Sequence, residues 1–447
     1  MEREMSEVDE TQSHVRNPLS ASAAGGNGNG GYLAEVEQAF VDRWHDNAYG
    51  CFSSGHKFCR EVCPVTQVTR NENHTPTAFH SNVVALEKGL IEVEDVADDY
   101  VHCTQCGACE LRCPNTIMVG DFYRARTETV KVVRAMRALM VDKGLDREGW
   151  KIWNRLTDKL KNEPVLGVEG DHPNGQEHVR DWANGLDIPT GGETIMFVDC
   201  EAAFYRTSIP RATAQLLQLA GVEFGLMREQ WCCGGPAAEM GYVEQARAFA
   251  EHNVADWRAI GAKRIIAIEP HDYVHFTEDY PAYFGEEFDF EVVQIVDLVA
   301  ELICDGRIEL KHPIDRVATY HDPCRLNKRK GIHEAPREIL RAIPGLTFKD
   351  VDHVTQWSYC SGGGGGLPIE KPEITAEISR RRLEKAGELE VDMLVSACVW
   401  SERPLSAAGA AQGIEVWDII ELVAESAGIE IGGSMQSGNA PVGSTQG

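Results

Sequence analysis

The run CTQCGACELRCP places Cys103, Cys106, Cys109 and Cys113 at the spacing C-x2-C-x2-C-x3-C, with Pro114 directly after. Thiols two residues apart converge on neighbouring irons of one 4Fe–4S cube, while the fourth, followed by proline, turns away to ligate the other cluster of a pair. A zinc knuckle uses only part of such a run and accounts for the spacing poorly. The upstream segment CFSSGHKFCREVCP supplies Cys51, Cys59, Cys63 and Pro64. Under crossed ligation Cys63 completes the cluster of Cys103, Cys106 and Cys109, and Cys113 joins Cys51 and Cys59 in a second one. The position three before Cys59 is His56, which is therefore a candidate fourth ligand; imidazole in place of thiolate raises a cluster's potential. An exposed loop histidine, a three-cysteine cluster or a remote ligand are the alternatives. Two crossed clusters lie close together and form a wire for electrons.

The rest of the composition narrows the class. A formal net charge of −27 and the lack of any basic run argue against a nucleic-acid partner. No apolar stretch reaches the ~20 residues needed to cross a bilayer, VVQIVDLVAELI being broken by Asp297 and Glu301. The N-terminus is acidic and polar, unlike a signal peptide. Fourteen cysteines in a large chain without an export signal read as metal ligands rather than disulfides. The expected location is the cytoplasm, with membrane association only through a partner.

Along the chain, residues 1–30 and 432–447 are polar and glycine-rich and are expected to be disordered tails. Residues 31–145 read as an all-helical ferredoxin-like domain, with the cysteines in the gaps between helices such as DFYRARTETVKVVRAMRALM. Residues 146–192 form a connector. From Glu193 onward, short β-rich runs (TIMFVD, VEFGLM, RIIAI) alternate with amphipathic helices, the pattern of a parallel α/β layer. This region repeats itself: TIMFVDC corresponds to RVATYHDPC, and VVQIVDLVAELI to IEVWDIIELVAES, both at an offset of about 120 residues. Two α/β modules follow, 193–308 and 309–431. Cys200 and Cys324 each follow a predicted strand, where open α/β sheets collect their ligands.

In the first module Cys200 is followed by the pair Cys232–Cys233 in CCGG; in the second, Cys324 is followed by Cys360 in CSGGGGG and then by Cys398. This pattern resembles the cysteine-rich CCG family, which includes the B and D subunits of heterodisulfide reductase, the iron–sulfur subunit of glycolate oxidase and the C subunit of anaerobic glycerol-3-phosphate dehydrogenase. In that family each full copy reads C…CCG…CxxC and can carry a cluster. Here EPHD puts Glu269 and Asp272 where the last two thiols would stand, and Ser361 and Ser401 replace two in the second copy. Each copy keeps three of five cysteines: Cys200, Cys232 and Cys233, or Cys324, Cys360 and Cys398. The resemblance implies one or two further clusters beyond the two of the N-terminal domain, with Glu269, His271 or Asp272 as added ligands in the first copy, or the loss of spare cysteines and of the cluster.

Residues 362–366 lack a P-loop ending and read as glycines for close backbone approach to a cluster. Cys304 matches no motif and reads as a small core residue. His321 and Asp322 precede Cys324, either hydrogen-bonding a sulfur or forming an Asp-Pro turn.

No flavin-binding motif occurs in the chain. The leading expectation is an electron-transfer subunit between a flavin-containing dehydrogenase, or an electron-transfer flavoprotein, and a membrane quinone-reducing partner or other acceptor. By resemblance the dehydrogenase's substrate would be a 2-hydroxy acid, glycerol 3-phosphate or a similar small molecule. A heterodisulfide-type thiol–disulfide reductase is the second reading. A docking platform whose α/β modules have lost their clusters is the third.

Overall fold

The computed structural model describes residues 29–119, 122–125, 127–157, 179–351 and 358–430. The expected tails fall outside these residues except for Asn29 and Gly30, and so does the middle of the connector, 158–178.

The N-terminal domain is built on a long helix, Asn29–Ser53, whose Val36, Phe40, Trp44 and Ala48 recur every four residues and are buried. That stripe packs on Phe79 and Val83 of the helix Pro76–Glu87 and on Val132, Val133, Met136 and Met140 of the helix Thr129–Asp142. Pro76 suits the first helical turn, and the Thr75 hydroxyl accepts from Ala78 N at 3.1 Å as its N-cap. The all-helical reading of 31–145 is corrected by an antiparallel hairpin, β1 (Thr116–Val119) with β2 (Phe122–Ala125). The β-branched and aromatic residues on either side of the turn pair with each other, so the helix expected from Asp121 starts only at Thr129. The cysteines also reach into helices: Cys51 lies in the last turn of the first helix and Cys59 opens the short helix Cys59–Val62.

The repeat is visible in the sheets. The first holds β3 (Thr194–Phe197), β4 (Arg264–Ala267) and β5 (Glu291–Gln294), parallel and in that order. The second holds β6 (Val317–Tyr320), β7 (Thr347–Phe348), β8 (Met393–Ser396) and β9 (Glu415–Asp418), parallel in the order β7-β6-β8-β9. Thus β3, β4 and β5 match β6, β8 and β9. The strand expected at VEFGLM, the counterpart of β7, is reduced to a bridge beside β3, with Gly225 N on Thr194 O at 2.9 Å and Met196 N on Gly225 O at 3.0 Å. In VVQIVDLVAELI the residues Val292, Val293 and Gln294 join the sheet as β5, and the helix begins at Ile295. Cys304 ends that helix and is exposed, so it is not a core residue.

The modules are not packed separately. The helix Ser208–Leu219 of the first lies on Ile419–Ser426 of the second, and Ile295–Cys304 lies on Glu334–Ala342, so one apolar core runs through both sheets. Among the described residues no helix is long and apolar enough to cross a membrane.

Candidate iron–sulfur centres

The structure groups the N-terminal cysteines in two sets. Cys109 is half-buried with Cys106, Cys63 and Cys103 around it, and desolvation, then Glu110 and those thiols, holds its own thiol well above the usual range. The Cys103 sulfur accepts Gln105 N at 3.3 Å. Cys51 is pushed up to about 12 by burial and then by the nearby Cys59 and Cys113. Cys113 has His56 Nε2 at 3.9 Å and accepts from the Thr127 hydroxyl at 3.3 Å, while Cys59 lies 3.3 Å from Thr77 Oγ1.

In the first module the carboxyl ends of β3 and β4 deliver Asp199, Cys200, Glu269 and Asp272 to one buried place, joined by Cys232 and Cys233. Cys200 lies beside Cys232, and Asp272 beside Cys233. Burial, then Asp199, pushes Glu269 up to about 8, and the same two causes raise Asp272. His271 lies against the same loop, with its Nε2 3.1 Å from Glu239 Oε1 and its Nδ1 buried without a partner.

The second module repeats the arrangement with different donors. Gly362 N meets the Cys360 sulfur at 3.3 Å, as Gly234 N meets Cys232 at 3.4 Å. Gly363 N meets Ser361 Oγ at 3.3 Å, as Gly235 N meets the Cys233 sulfur at 3.3 Å. Ser361 then bonds Ser401 at 3.1 Å, the counterpart of Cys233 beside Asp272. Serine thus stands in the cysteine's place with its geometry kept. Cys360 lies beside Cys324 and also beside Cys106 of the N-terminal motif, whereas Cys398 lies beside Glu269 and Ser401. His321 and Asp322 make no described bond to sulfur: Asp322 holds Arg337 through two bonds of 2.8 and 2.9 Å, and His321 meets Arg382 Nε at 3.2 Å.

Residues that the motifs did not flag join the three regions. Glu239, buried just after CCGG, takes Gly365 N at 3.1 Å, Arg134 at 3.4 Å, His271, and Arg325 at closer range. The fully buried Arg137 donates to the carbonyls of Tyr100 (2.9 Å), Val101 (3.3 Å), Cys103 (3.0 Å), Glu239 (2.9 Å) and Gly365 (2.7 Å). The glycine run lies close to backbone of the N-terminal motif: a Cβ on Gly364 would stand 2.8 Å from Thr104 O, and one on Gly365, at φ +67°, would strike Cys103 O. The only sequence signal for these contacts is the glycine run itself.

The donors present fit sulfur-bound iron. Buried thiols accept backbone N–H bonds, which stabilise thiolate and tune potential. Glu269 Oε1, both Asp272 carboxylate oxygens and His56 Nδ1 are buried without a hydrogen-bond partner, as free ligand atoms would be. Among the described residues no three such side chains converge on a single bare ion, and a cube holds its ligands further apart, at its corners.

Comparison with known proteins agrees. Residues 47–117 match the 4Fe-4S dicluster domain, and residues 194–277 and 318–400 each match the cysteine-rich CCG domain. The chain is 31% identical over 347 residues to the D subunit of the dihydromethanophenazine:CoB–CoM heterodisulfide reductase of Methanosarcina mazei, covering 76% of this chain and 80% of that one. It is 26% identical to the EtfAB:quinone oxidoreductase of Syntrophomonas wolfei, over 78% of this chain but 49% of that one. A crystal structure of a hypothetical protein from Helicobacter pylori shares the fold, with a TM-score of 0.50 and 11% identity over 88% of this chain and 77% of that one. With its dicluster domain, its two CCG domains and this relationship to the heterodisulfide reductase D subunit, the chain belongs to the CCG-domain family of iron–sulfur oxidoreductase subunits.

Proposed function

We propose that the chain is an electron conduit that accepts electrons from a flavin-containing partner and passes them to a quinone or another acceptor. Iron–sulfur clusters, when bound, supply one-electron carriers. Cys63, Cys103, Cys106 and Cys109 would hold one 4Fe–4S cluster, and Cys51, Cys59 and Cys113 with His56 a second. Cys324, Cys360 and Cys398 would hold a third, while Cys200, Cys232 and Cys233 with Asp272 or Glu269 offer a fourth site. The domain limits 31–145, 193–308 and 309–431 go with this reading.

The observation that carries it is the contact of Cys106 with Cys360. It joins the sulfurs of the dicluster domain to those of the second module without intervening solvent. Buried donors exclude water along that path, and Gln105, fully buried with Nε2 2.7 Å from Glu239 O, fixes the loop between Cys103 and Cys106. The likeness to an EtfAB:quinone oxidoreductase supports an electron-transfer flavoprotein as donor and a quinone as acceptor. The likeness to the heterodisulfide reductase D subunit favours a second reading, reduction of a disulfide at the CCG sites, against which the four missing cysteines weigh.

Iron and acid-labile sulfide of anaerobically purified protein test the conduit, with electron paramagnetic resonance of wild type and of Cys360→Ala with Cys398→Ala. About eight irons in both proteins, with identical signals, confine the clusters to the N-terminal domain; about twelve or more, falling by about four in the variant, extend the conduit into the second module.

A further inference from the structure

The two modules match position for position, yet the residue after the first cysteine differs in charge. After β3 come Asp199, Cys200 and Glu201; after β6 come Pro323, Cys324 and Arg325. The first module surrounds its thiols with buried Asp199, Glu201, Glu269 and Asp272. The second holds buried Arg325, Lys328 and Arg382 together with buried Asp322, Glu402 and Asp418, and Glu269 lies beside its Cys398.

Two of these cations are committed elsewhere. Arg325 is neutralised by Glu239 and bonds Gln105 O at 3.1 Å; Arg382 bonds Tyr320 O at 2.8 Å and His321. Lys328 differs. It is 8% exposed, its Nζ lies 2.9 Å from Ser358 Oγ, and its charge acts on both Cys106 and Cys360. Arg325–Lys330 is wound as a π-helix directly after Cys324, an irregularity that recurs at functional sites.

We propose that Lys328 raises the redox potential at the junction where the N-terminal domain meets the second module. A cation fixed in a low-dielectric interior favours the more negative, reduced state of an iron–sulfur group beside it and raises its midpoint. The step concerned moves one electron across that junction, with no bond made or broken. The inference rests on the conduit reading above.

Potentiometric titration followed by electron paramagnetic resonance tests it on the signal that Cys360→Ala removes. The expected result is a downward shift of that midpoint in Lys328→Met, at unchanged iron and sulfide, with the wild-type value kept in Lys328→Arg. An unshifted midpoint in Lys328→Met at full iron overturns the inference alone. Iron loss in both Lys328 variants makes the residue a structural support and also overturns it. A wild-type protein with no Cys360-dependent signal overturns the inference together with the conduit's extension into the module.

Discussion

Glu269 and Cys398 hold equivalent places in the two halves of the repeat, one after β4 and the other after β8, and the carboxyl of one lies beside the thiol of the other. The two sheets therefore point their carboxyl ends at each other across an internal pseudo-dyad. Two ion pairs tie the segment after β3 to the helix after β8, Arg206 on Glu402 at 2.8 Å and Arg403 on Glu201 at 3.3 Å. A change at Glu269 is read in both modules at once.

Glu269→Cys with Asp272→Cys restores the five-thiol pattern of the first module. The expected gain is about four irons per chain over wild type, or a changed signal at constant iron if carboxylates already complete a cluster there. Iron and sulfide analysis with electron paramagnetic resonance checks it. Identical iron and identical spectra would mean that this module does not hold iron.

Arg137→Met takes a donor from five carbonyls, of which Glu239 O keeps Gln105 Nε2 and Val101 O keeps Cys103 N, and removes the guanidinium stacked 4.7 Å over Trp150. The expected loss is about 3–5 kcal/mol, since groups left unpaired in the interior cost their full desolvation. Urea unfolding measures it. Arg380→Met, which removes surface pairs on Glu377 and Glu384, serves as the control and barely moves the midpoint.

His80 ties the stability to pH. Burial lowers its pKa from 6.5 to about 4, with Nε2 held 3.0 Å from Thr129 Oγ1. The folded state thus disfavours the proton that the unfolded chain takes up. Its contribution is complete above about pH 6.5 and is lost as pH falls toward 4. His74, also lowered to about 4 by burial and then by His102, acts in the same direction. His80→Gln is expected to flatten the pH dependence of the urea midpoint across this window; an unchanged slope would contradict the assignment.

The cysteine spacing carried most of the site into view because ligation is local in sequence: a cube demands thiols at fixed short intervals, and the chain shows them. The repeat was legible for the same reason, as strand and helix runs recur in fixed order. What stayed hidden depends on contacts far apart in the chain. Nothing near Glu239 announces that it will meet Arg325, Arg134 and Gly365, and nothing near Lys328 announces Cys106. The hairpin Thr116–Ala125 was hidden otherwise, since its short strands adjoin a helix whose apolar spacing absorbs them. Cys304 misled because an apolar helix suggests burial at every turn, and its last residue is exposed.

The guanidinium of Arg137 also fixes an order of events during synthesis. One of its five acceptors is the carbonyl of Gly365, well inside the second module, while Cys103 O is another. The loop that presents Cys103 and Cys106 leaves the ribosome early but gains its full set of anchors only after the second module has emerged. Until then that loop is held only by contacts from earlier parts of the chain, and the second module completes its fixation last.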